Sequence, residues 1–379
     1  MTPRWLITAI GTLSLAAASI VRAEPPSRMQ VLSAAKKVAD WQLSHLDGLH
    51  IQSHMKEESR NPRSWQQGAF WVGMTHLAQA TSEPRYTRAI FAMGRANAWT
   101  PGPRVYHADD HVIAQSYLWA ARHGADQSVI APIRAVFDGI LASPPVAHLS
   151  FVVAKNYEDT QCLRRWCWCD AIFMSPPAWL DLANQTGQAK YRAYAMSEFW
   201  AATDFLYDPA EKLYFRDSRF FERRDEQGRK LFWARGNGWV FAGIANMLDV
   251  LPADHADRPR LEKLFRDMAG RLQQLQKPDG YWAPSLLAGE NSPPETSGTG
   301  FFVYGLAWGV NRGLLPRDAW LPSIYRGWDA LNRAVAKDGR LGWVQQVSDR
   351  PEQVAESDTQ FYGVGAYLLA ASEVAALNH

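Results

Sequence analysis

The sequence has few cysteines, little net charge and no run of basic residues. Its 379 residues carry three cysteines and a formal net charge of +2. Cys162, Cys167 and Cys169 fall in one short segment, which excludes a disulfide framework and leaves one local bridge open. The same spacing, without a fourth ligand, argues against a metal site. A weakly charged chain without a basic patch also argues against nucleic acid as a partner.

Long apolar runs are confined to the N-terminus. Arg4 precedes an apolar stretch from Trp5 to Ile20, and Val21-Arg22-Ala23 offers small residues at a cleavage site. This pattern predicts a signal peptide over residues 1–23 and an exported protein, periplasmic or secreted, with a buried N-terminal helix as the alternative. No later segment is apolar for about 20 residues, and no cysteine near the cleavage site could carry a lipid. We therefore expect no membrane anchor once the signal is cleaved.

Several catalytic motifs are also missing. The sequence has no G-x-S-x-G, H-E-x-x-H, P-loop or G-x-G-x-x-G context, which counts against serine hydrolases, zinc peptidases, kinases and dinucleotide enzymes. Tryptophan, by contrast, is abundant, with 17 residues. Most of these rings are expected to pack helices together, but flat aromatic faces also bind sugar rings.

Six similar segments recur along the chain, roughly 45 to 65 residues apart, a spacing that suits a helical hairpin. Each begins with polar, glycine or tryptophan residues and continues as an apolar helical stretch; they start at Ser64, Asp109, Cys169, Ala234, Thr296 and Thr359. More amphipathic segments lie between them, at Ser27–His45, Gln127–Ala142, Ala189–Leu206, Arg258–Leu275 and Leu321–Val335. The alternation predicts an all-α fold, an (α/α)6 toroid of six helical hairpins in a single domain over residues 24–379. Short strands are predicted only in rim hairpins, at Lys212–Phe215 and Leu341–Val344.

The stretch RRWCWCDAIFMSPP, from Arg164 to Pro177, places one acid between tryptophans and an apolar run. Asp170 begins the helical stretch, so one interpretation is a helix N-cap. Because Trp166 and Trp168 precede it, the alternative is a desolvated carboxyl whose raised pKa suits a proton donor. If the inner helices are parallel, their N-terminal ends share one mouth, which favours a carboxylate ligand.

Asp109 and Asp110 open another of the inner helices. Adjacent carboxylates at a helix start are often caps, which is one interpretation here. If the helix starts converge, one of the pair faces Asp170 across the mouth. A like charge at that distance would help to keep one of the two carboxyls protonated.

WARGNGW, from Trp233 to Trp239, is the second prominent motif. Arg235 offers a planar fork for a carboxylate, and Trp239 lies on the same helical face. The glycines that flank Asn237 let the backbone approach a ligand closely. A glycine-rich helix start with a surface arginine is the alternative. Weaker candidates for ligand binding, at other inner-helix starts, are Trp65, Ser297 and Thr299.

Three blocks of the sequence resemble the unsaturated uronyl hydrolases of glycoside hydrolase families 105 and 88. They are WCWCDAIFMSPPAWLDLANQTG, FWARGNGWVFAGIANML and ETSGTGFFVYGL, and the similarity extends from about Trp65 to Leu369. Those enzymes act on oligosaccharides left by polysaccharide lyases, whose non-reducing end is a 4,5-unsaturated uronic acid. The resemblance therefore implies such an oligosaccharide as the partner, with no metal or organic cofactor.

The resemblance also implies an unusual reaction, hydration of the enol ether rather than displacement at the anomeric carbon. By this analogy Asp170 protonates C4 and then takes a proton from the water that adds at C5, after which the hemiketal opens. Asp110 matches the second family aspartate, with Asp109 as the alternative in register, while Arg235 and Trp239 match residues that hold the unsaturated ring. We further expect substrate contacts from Trp65, Asp109, Trp168, Asn237, Ser297 and Thr299.

One departure concerns a histidine that some family members carry shortly before the Arg-Gly-Asn-Gly-Trp block. Here the region reads Tyr214-Phe215-Arg216-Asp217-Ser218, and no histidine occurs between His148 and His255. The resemblance therefore leaves open whether the substrate is a rhamnogalacturonan fragment or an unsaturated glucuronide.

Two other classes of function remain open from the sequence alone. A different α/α-toroid enzyme could be an inverting glycosidase, with Asp170 and Asp110 as separate acid and base, or a polysaccharide lyase with a tyrosine or histidine base. A non-catalytic protein that binds acidic sugars would retain Arg235 and Trp239 in binding. It would lose nothing when Asp170 is replaced by Asn.

Overall fold

The computed structural model describes residues 25–289 and 292–377, and the predicted signal peptide lies outside them. Within these residues the chain forms fourteen α-helices: α1 Arg28–Leu43, α2 Lys56–Arg60, α3 Trp65–Thr81, α4 Pro84–Ala96, α5 Val112–Arg122, α6 Ala131–Ala142, α7 Ala171–Met174, α8 Pro176–Thr186, α9 Ala189–Leu206, α10 Ala234–Val250, α11 Arg258–Leu275, α12 Thr296–Asn311, α13 Arg317–Arg333 and α14 Phe361–Leu377. None of these helices is both long and apolar enough to cross a bilayer.

Local sequence determines where several helices begin. Ser27 caps α1 through a capping box with Gln30, and Ser64 caps α3 by accepting a hydrogen bond from the backbone of Gln67. The carboxylate of Glu295 accepts from the first backbone N–H groups of α12. These caps explain why the apolar runs become helical at the positions that the sequence predicts.

The helices form two concentric layers. The inner helices α3, α5, α7 with α8, α10, α12 and α14 each contact the next, and α14 contacts α3 to close the ring. The outer helices α1, α4, α6, α9, α11 and α13 alternate with them along the chain. Inner helices such as α12 and α14 are buried over almost their whole surface, whereas α11 buries one apolar face. The predicted (α/α)6 toroid is therefore confirmed.

Glycines allow the first and last inner helices to close the ring. A Cβ at Gly73 of α3 would lie 2.5 Å from the carbonyl oxygen of Gly365 in α14. A Cβ at Gly365 would in turn press against the backbone of Ala69. Larger residues at either glycine would force the two helices apart, because close-packed interiors have no room for the added atoms.

Proline breaks the third inner helix near one end of the barrel. Pro176 begins α8 and has no N–H to continue the hydrogen bonding of α7. Ser175 occupies the break, where its Oγ lies 2.7 Å from His111 Nδ1 and accepts from Trp179 Nε1 across 3.1 Å. The short α7 therefore ends in a buried, satisfied junction, with Asp170 at its other end.

Long connections gather at the end of the barrel where the inner helices begin. They span residues 44–64, 97–111, 143–170, 207–233, 276–289 with 292–295, and 334–360. The little strand structure of the described residues lies here: β1 Tyr207–Asp208 pairs with β2 Leu213–Tyr214, and Val335 bridges Leu341. Both pairings fall at the rim hairpins that the sequence predicts. This end of the barrel therefore carries the irregular structure from which a ligand site is usually built.

Candidate active site

A cavity of about 540 Å³ opens at the end of the barrel where the inner helices begin. Trp65 at the start of α3, Asp109 before α5, and Trp168 and Asp170 before α7 all line it. Trp65 stacks on Tyr362 of α14, with ring centroids 5.1 Å apart. Four of the predicted site residues are therefore brought together around one space.

Asp170 contributes a buried carboxyl to this cavity. The side chain makes no capping hydrogen bond to α7, and the residue is 8% exposed. Burial raises the pKa of Asp170, while the nearby Arg216 guanidinium opposes that rise. Cys169 Sγ donates a hydrogen bond to Asp170 Oδ2 across 3.2 Å. The carboxyl is thus not used as a helix cap, and its environment favours the protonated form.

Arg216 places a cation beside Asp170. Its Nε lies 3.8 Å from Asp170 Oδ2, and the backbone N–H of Cys169 donates to the Arg216 carbonyl oxygen across 2.8 Å. Nη1 donates to Asp217 Oδ2 across 2.7 Å, whereas Nε has no hydrogen-bond partner among the described residues. An arginine that lines the cavity therefore keeps one N–H unused, which is unusual for a buried donor.

Asp109 contributes a second acid to the cavity. Burial raises the pKa of Asp109 to about 8, Arg104 opposes the rise and Asp170 adds to it. The backbone N–H of Asp109 donates to His107 Nδ1 across 3.4 Å, which assigns Nδ1 as an acceptor. Burial also holds the pKa of His107 well below its ordinary value, so the imidazole is neutral. Both groups therefore favour their uncharged forms at neutral pH.

Asp110, by contrast, is not one of the residues that line the cavity. Its Oδ1 accepts from Arg104 Nε across 3.0 Å and from Nη2 across 2.7 Å, and its Oδ2 accepts from the Arg104 backbone N–H across 2.6 Å. A Cβ at Gly102 would press against the same carboxyl group. Asp110 therefore stabilises the connection that contains Arg104. Asp109, the alternative match to the second family aspartate, is the acid that lines the cavity.

Arg235 lies outside the lining of the cavity and is 1% exposed. Its Nη1 donates to the carbonyl oxygen of Gln345 across 2.7 Å, and its Nη2 donates to that of Gln346 across 2.9 Å. The guanidinium also lies against two aromatic rings, at 4.4 and 4.7 Å from their centroids. In this geometry Arg235 anchors the rim loop, residues 345–352, several of whose side chains line the cavity.

Asn237 and Trp239 are also fully buried and outside the cavity lining. Asn237 Oδ1 accepts from the Tyr214 backbone N–H across 2.8 Å, and Nδ2 donates to the Tyr214 carbonyl oxygen across 3.0 Å. Trp239 packs against Phe173 and Phe301, with centroid distances of 4.8 and 4.3 Å. Both residues therefore pack behind the wall of the cavity and do not line it.

Ser297 and Thr299 are likewise not brought to the cavity. Ser297 donates its backbone N–H to Glu295 Oε1 across 2.9 Å, within the cap of α12. Thr299 Oγ1 accepts from the Trp282 backbone N–H across 3.2 Å. Both contacts stabilise the start of α12, and neither involves the space where a ligand would lie.

Several lining residues were not predicted as site residues from the sequence. They come from the long connections and include His54, Glu58, Arg104, Tyr157, Arg216, Trp233 and Arg350. Connections have no helical periodicity, so the sequence gives little indication of which side chains turn inward. The one available signal was Arg216, which lies in the region where some family members carry a histidine.

The cysteines complete the wall near Asp170. Cys162 and Cys167 form a disulfide, which is the local bridge that the sequence left open, and Cys169 is free and buried. Leu163 and Trp168, next to the two bridged cysteines, line the cavity. No group of three or more His, Cys, Asp or Glu residues in 25–289 and 292–377 is arranged to hold a metal ion.

A second and larger cavity, of about 720 Å³, lies at the opposite end of the barrel, where the inner helices end. Its acidic side chains are paired with arginines. Arg122 contacts Asp181, and Arg312 Nε lies 3.0 Å from Asp249 Oδ1. Trp119 is the one tryptophan of the described residues that lines this space.

Comparison with known proteins identifies the family. Residues 34–378 match the family model described as Glycosyl Hydrolase Family 88. The chain is 41% identical over 354 residues to the unsaturated 3S-rhamnoglycuronyl hydrolase of Alteromonas sp. (strain LOR), across 90% of this chain and 86% of that protein. It is 35% identical over 322 residues to a protein of the same name from Formosa agariphila, across 83% of this chain and 84% of that protein.

Solved structures give the same fold. One named a polysaccharide lyase superposes with a TM-score of 0.78 and 28% sequence identity, over 92% of this chain and 98% of that chain. The predicted class of enzyme, a glycoside hydrolase, is confirmed by the family match and by the two curated relatives. The chain belongs to glycosyl hydrolase family 88.

Proposed function

We propose that the enzyme removes a 4,5-unsaturated uronic acid from the non-reducing end of oligosaccharides that polysaccharide lyases leave. The observation that carries the proposal is a buried carboxyl, Asp170, which has a raised pKa and lies beside Arg216 in a cavity lined by indole rings. The relative from Alteromonas, named an unsaturated 3S-rhamnoglycuronyl hydrolase, supports this substrate class. We extend its rhamnose-containing substrate to this chain as part of the proposal.

The proposed reaction is hydration of the double bond by one carboxyl group. Protonated Asp170 transfers its proton to C4, which leaves positive charge shared between C5 and the ring oxygen. The resulting carboxylate removes a proton from a water molecule whose oxygen bonds to C5, so Asp170 is protonated again. The hemiketal at C5 then opens, which leaves a hemiacetal at C1 that releases the next sugar. A raised pKa suits this cycle because it favours the protonated carboxyl with which the cycle begins.

Arg216 is our candidate for binding the carboxylate of the unsaturated sugar. Arg216 lines the cavity, whereas Arg235 does not and both of its terminal nitrogens are already bonded to backbone carbonyl oxygens. A guanidinium is well suited to a carboxylate because its planar N–H groups match the two oxygens. The carboxylate would thereby be held close to the Asp170 proton.

In this proposal the second acid of the active site is Asp109 and not Asp110. Its pKa of about 8 leaves it mostly protonated at neutral pH. A neutral carboxyl can donate a hydrogen bond to a sugar oxygen without adding negative charge near Asp170. That is the arrangement expected when two acids share one desolvated site.

The experiment that tests the function uses unsaturated disaccharides prepared with pectin, arabinogalactan and ulvan lyases. The ultraviolet absorbance of the enol ether should fall as each substrate is hydrated, and the fastest loss is expected for a rhamnose-containing disaccharide. Mass spectrometry should show the two released monosaccharides. Constant absorbance with all three disaccharides would refute the proposal.

A polysaccharide lyase is the second candidate, because a similar solved structure carries that name and Tyr157 lines the cavity. A lyase creates the double bond, so absorbance would rise when the enzyme meets an intact polyuronide. The same assay therefore separates the two activities by the sign of the change. A protein that only binds acidic sugars would change the absorbance in neither direction.

We further propose that the enzyme works outside the cytoplasm. Residues 1–23 have the sequence pattern of a signal peptide, and the Cys162–Cys167 disulfide suits an oxidising compartment. N-terminal sequencing of the protein from its native host should begin at Glu24. Recovery of an intact N-terminus from the cytoplasmic fraction would refute export.

A further inference from the structure

Two donors approach the same oxygen of Asp170. Cys169 Sγ donates to Oδ2 across 3.2 Å, and Arg216 Nε lies 3.8 Å from that oxygen. No side chain in the described part of the chain donates to Oδ1. The two carboxyl oxygens therefore differ in the side chains that approach them before any substrate binds.

The thiol of Cys169 is fixed as a donor. Cys169 is fully buried, and burial raises the pKa of its thiol well above the ordinary value. Burial therefore favours the S–H form of the thiol. The other two cysteines are bonded to each other, so Cys169 has no disulfide partner.

The position of the sulfur is also constrained. A Cβ at Gly236 of α10 would lie 3.0 Å from Cys169 Sγ, so the glycine leaves just enough room for the sulfur. The Cys169 backbone N–H is bonded to the Arg216 carbonyl oxygen at 2.8 Å. The thiol and the guanidinium are thus held next to the carboxyl by the same pair of segments.

We propose that Cys169 is a positioning residue which, together with Arg216, keeps Oδ2 of Asp170 unprotonated and so leaves the transferable proton on Oδ1. An oxygen that already accepts a hydrogen bond from one donor and faces a cation is the less basic of the pair. Oδ1 would then deliver the proton to C4 and later accept the proton from water. This inference rests on the proposed function, because it assigns a role within the hydration reaction.

The titration of Asp170 reports on this arrangement. The ionisable groups that act on it are Cys169 beside it, Arg216 from the connection after β2, Arg235 from α10, and Asp109 from the connection before α5. The hydrogen bond from Cys169 lowers the pKa of Asp170 because it favours the charged form. Removing that bond should raise the pKa further, so the acid form should persist to higher pH.

The test compares kcat/KM against pH for the wild type, Cys169→Ala and Cys169→Ser. One neutral hydrogen bond corresponds to about a 3- to 10-fold change in rate, so Cys169→Ala should lose that much at the optimum. Its alkaline limb should move to higher pH. Cys169→Ser retains a hydrogen-bond donor. It should therefore have the wild-type kcat/KM, and the alkaline limb of its pH profile should lie at the wild-type pH. An unmoved limb in Cys169→Ala, or equal impairment of both variants, would overturn the proposal.

Infrared spectroscopy of the unmutated chain gives a second readout that does not depend on how a Cys169 variant folds. The disulfide leaves one free thiol, so the S–H stretch belongs to Cys169 alone. Its frequency should fall when Asp170 ionises and should not respond to pH in Asp170→Asn. A band that is the same in both proteins at all pH values would contradict the hydrogen bond. Failure of the proposed function would show differently, as normal activity in Asp170→Asn.

Discussion

The two ends of the barrel differ in ways that cavity size does not reveal. The larger cavity, of about 720 Å³, lies where the inner helices end, and the smaller one, of about 540 Å³, lies where they begin. Burial raises the pKa of an acid at both ends, Asp181 at one and Asp170 at the other. Neither volume nor a perturbed carboxyl therefore identifies the active site by itself.

What separates the two ends is how closely their buried acids are paired with arginines. Asp181 contacts Arg122, so its charge is neutralised by a side chain of the protein. Among the described side chains, the one that donates a hydrogen bond to Asp170 is the Cys169 thiol, and the Arg216 cation lies farther away, with Nε 3.8 Å from Oδ2. Long connections and three indole rings also reach the smaller cavity. A buried acid without a close ion pair, in a cavity whose indole rings can stack on a sugar, marks the site.

The most direct way to break this comparison is to replace one acid at each end. Asp170→Asn should lower kcat about 10³-fold, since a general acid contributes on the order of 10² to 10⁴, and should leave the melting temperature nearly unchanged. Asp181→Asn is the matched control, and it should keep kcat while lowering the melting temperature. Loss of activity in Asp181→Asn alone would move the active site to the opposite end of the barrel.

Replacing Arg216 should have the next largest effect. Arg216→Lys keeps the charge but loses the planar fork, so KM should rise about 10- to 100-fold, as expected for a lost charge-assisted hydrogen bond. Initial-rate kinetics on the unsaturated disaccharide measure this change. An unchanged KM would show that the substrate carboxylate is held elsewhere.

Arg235→Lys tests whether Arg235 anchors the rim loop while Arg216, which lines the cavity, binds the substrate carboxylate. Because Arg235 anchors the rim loop through two carbonyl oxygens, its replacement should lower the melting temperature and speed hydrogen exchange of residues 345–352. KM should rise less than in Arg216→Lys. A larger rise in KM than in Arg216→Lys, with normal exchange in the loop, would instead make Arg235 the carboxylate ligand that the family resemblance implies.

The smallest effect concerns stability and pH. The pKa of Asp109 is raised from 3.8 to about 8 in the folded protein, so folding binds a proton between these values and stability falls as pH rises through that window. Asp109→Asn removes this penalty. Its melting temperature relative to the wild type should therefore be higher at pH 9 than at pH 4, by at least ~2 °C. A difference independent of pH would show that Asp109 ionises normally.

The fold was largely predictable because its determinants are local. Apolar periodicity and polar helix starts set the inner helices, and Ala189–Leu206 and Arg258–Leu275 have the predicted bounds. The amphipathic helix Pro84–Ala96 was not predicted, although proline at its start and an apolar face gave a sufficient signal.

The site was less predictable because its geometry depends on contacts between distant segments. Asp109 and Asp110 lie in a 3-10 turn, Ala108–His111, where neighbouring side chains point to different sides and the sequence cannot choose between them. Arg235 meets a loop 110 residues further along the chain, which no local pattern reveals. Asp170 was identifiable because part of its environment, the cysteine at 169 and the tryptophan at 168, is adjacent to it in the sequence.

The contact between the first and last inner helices bears on how the enzyme is made. Because Gly73 and Gly365 meet backbone to backbone, the wall of the barrel is complete only when α14 packs against α3. Trp65 also stacks on Tyr362, so the aromatic packing at the cavity is shared between the two ends. A nascent polypeptide that stops short of α14 therefore has an open sector instead of a binding site. A stop codon that removes α14 should therefore be as damaging as one that removes an internal hairpin of the barrel.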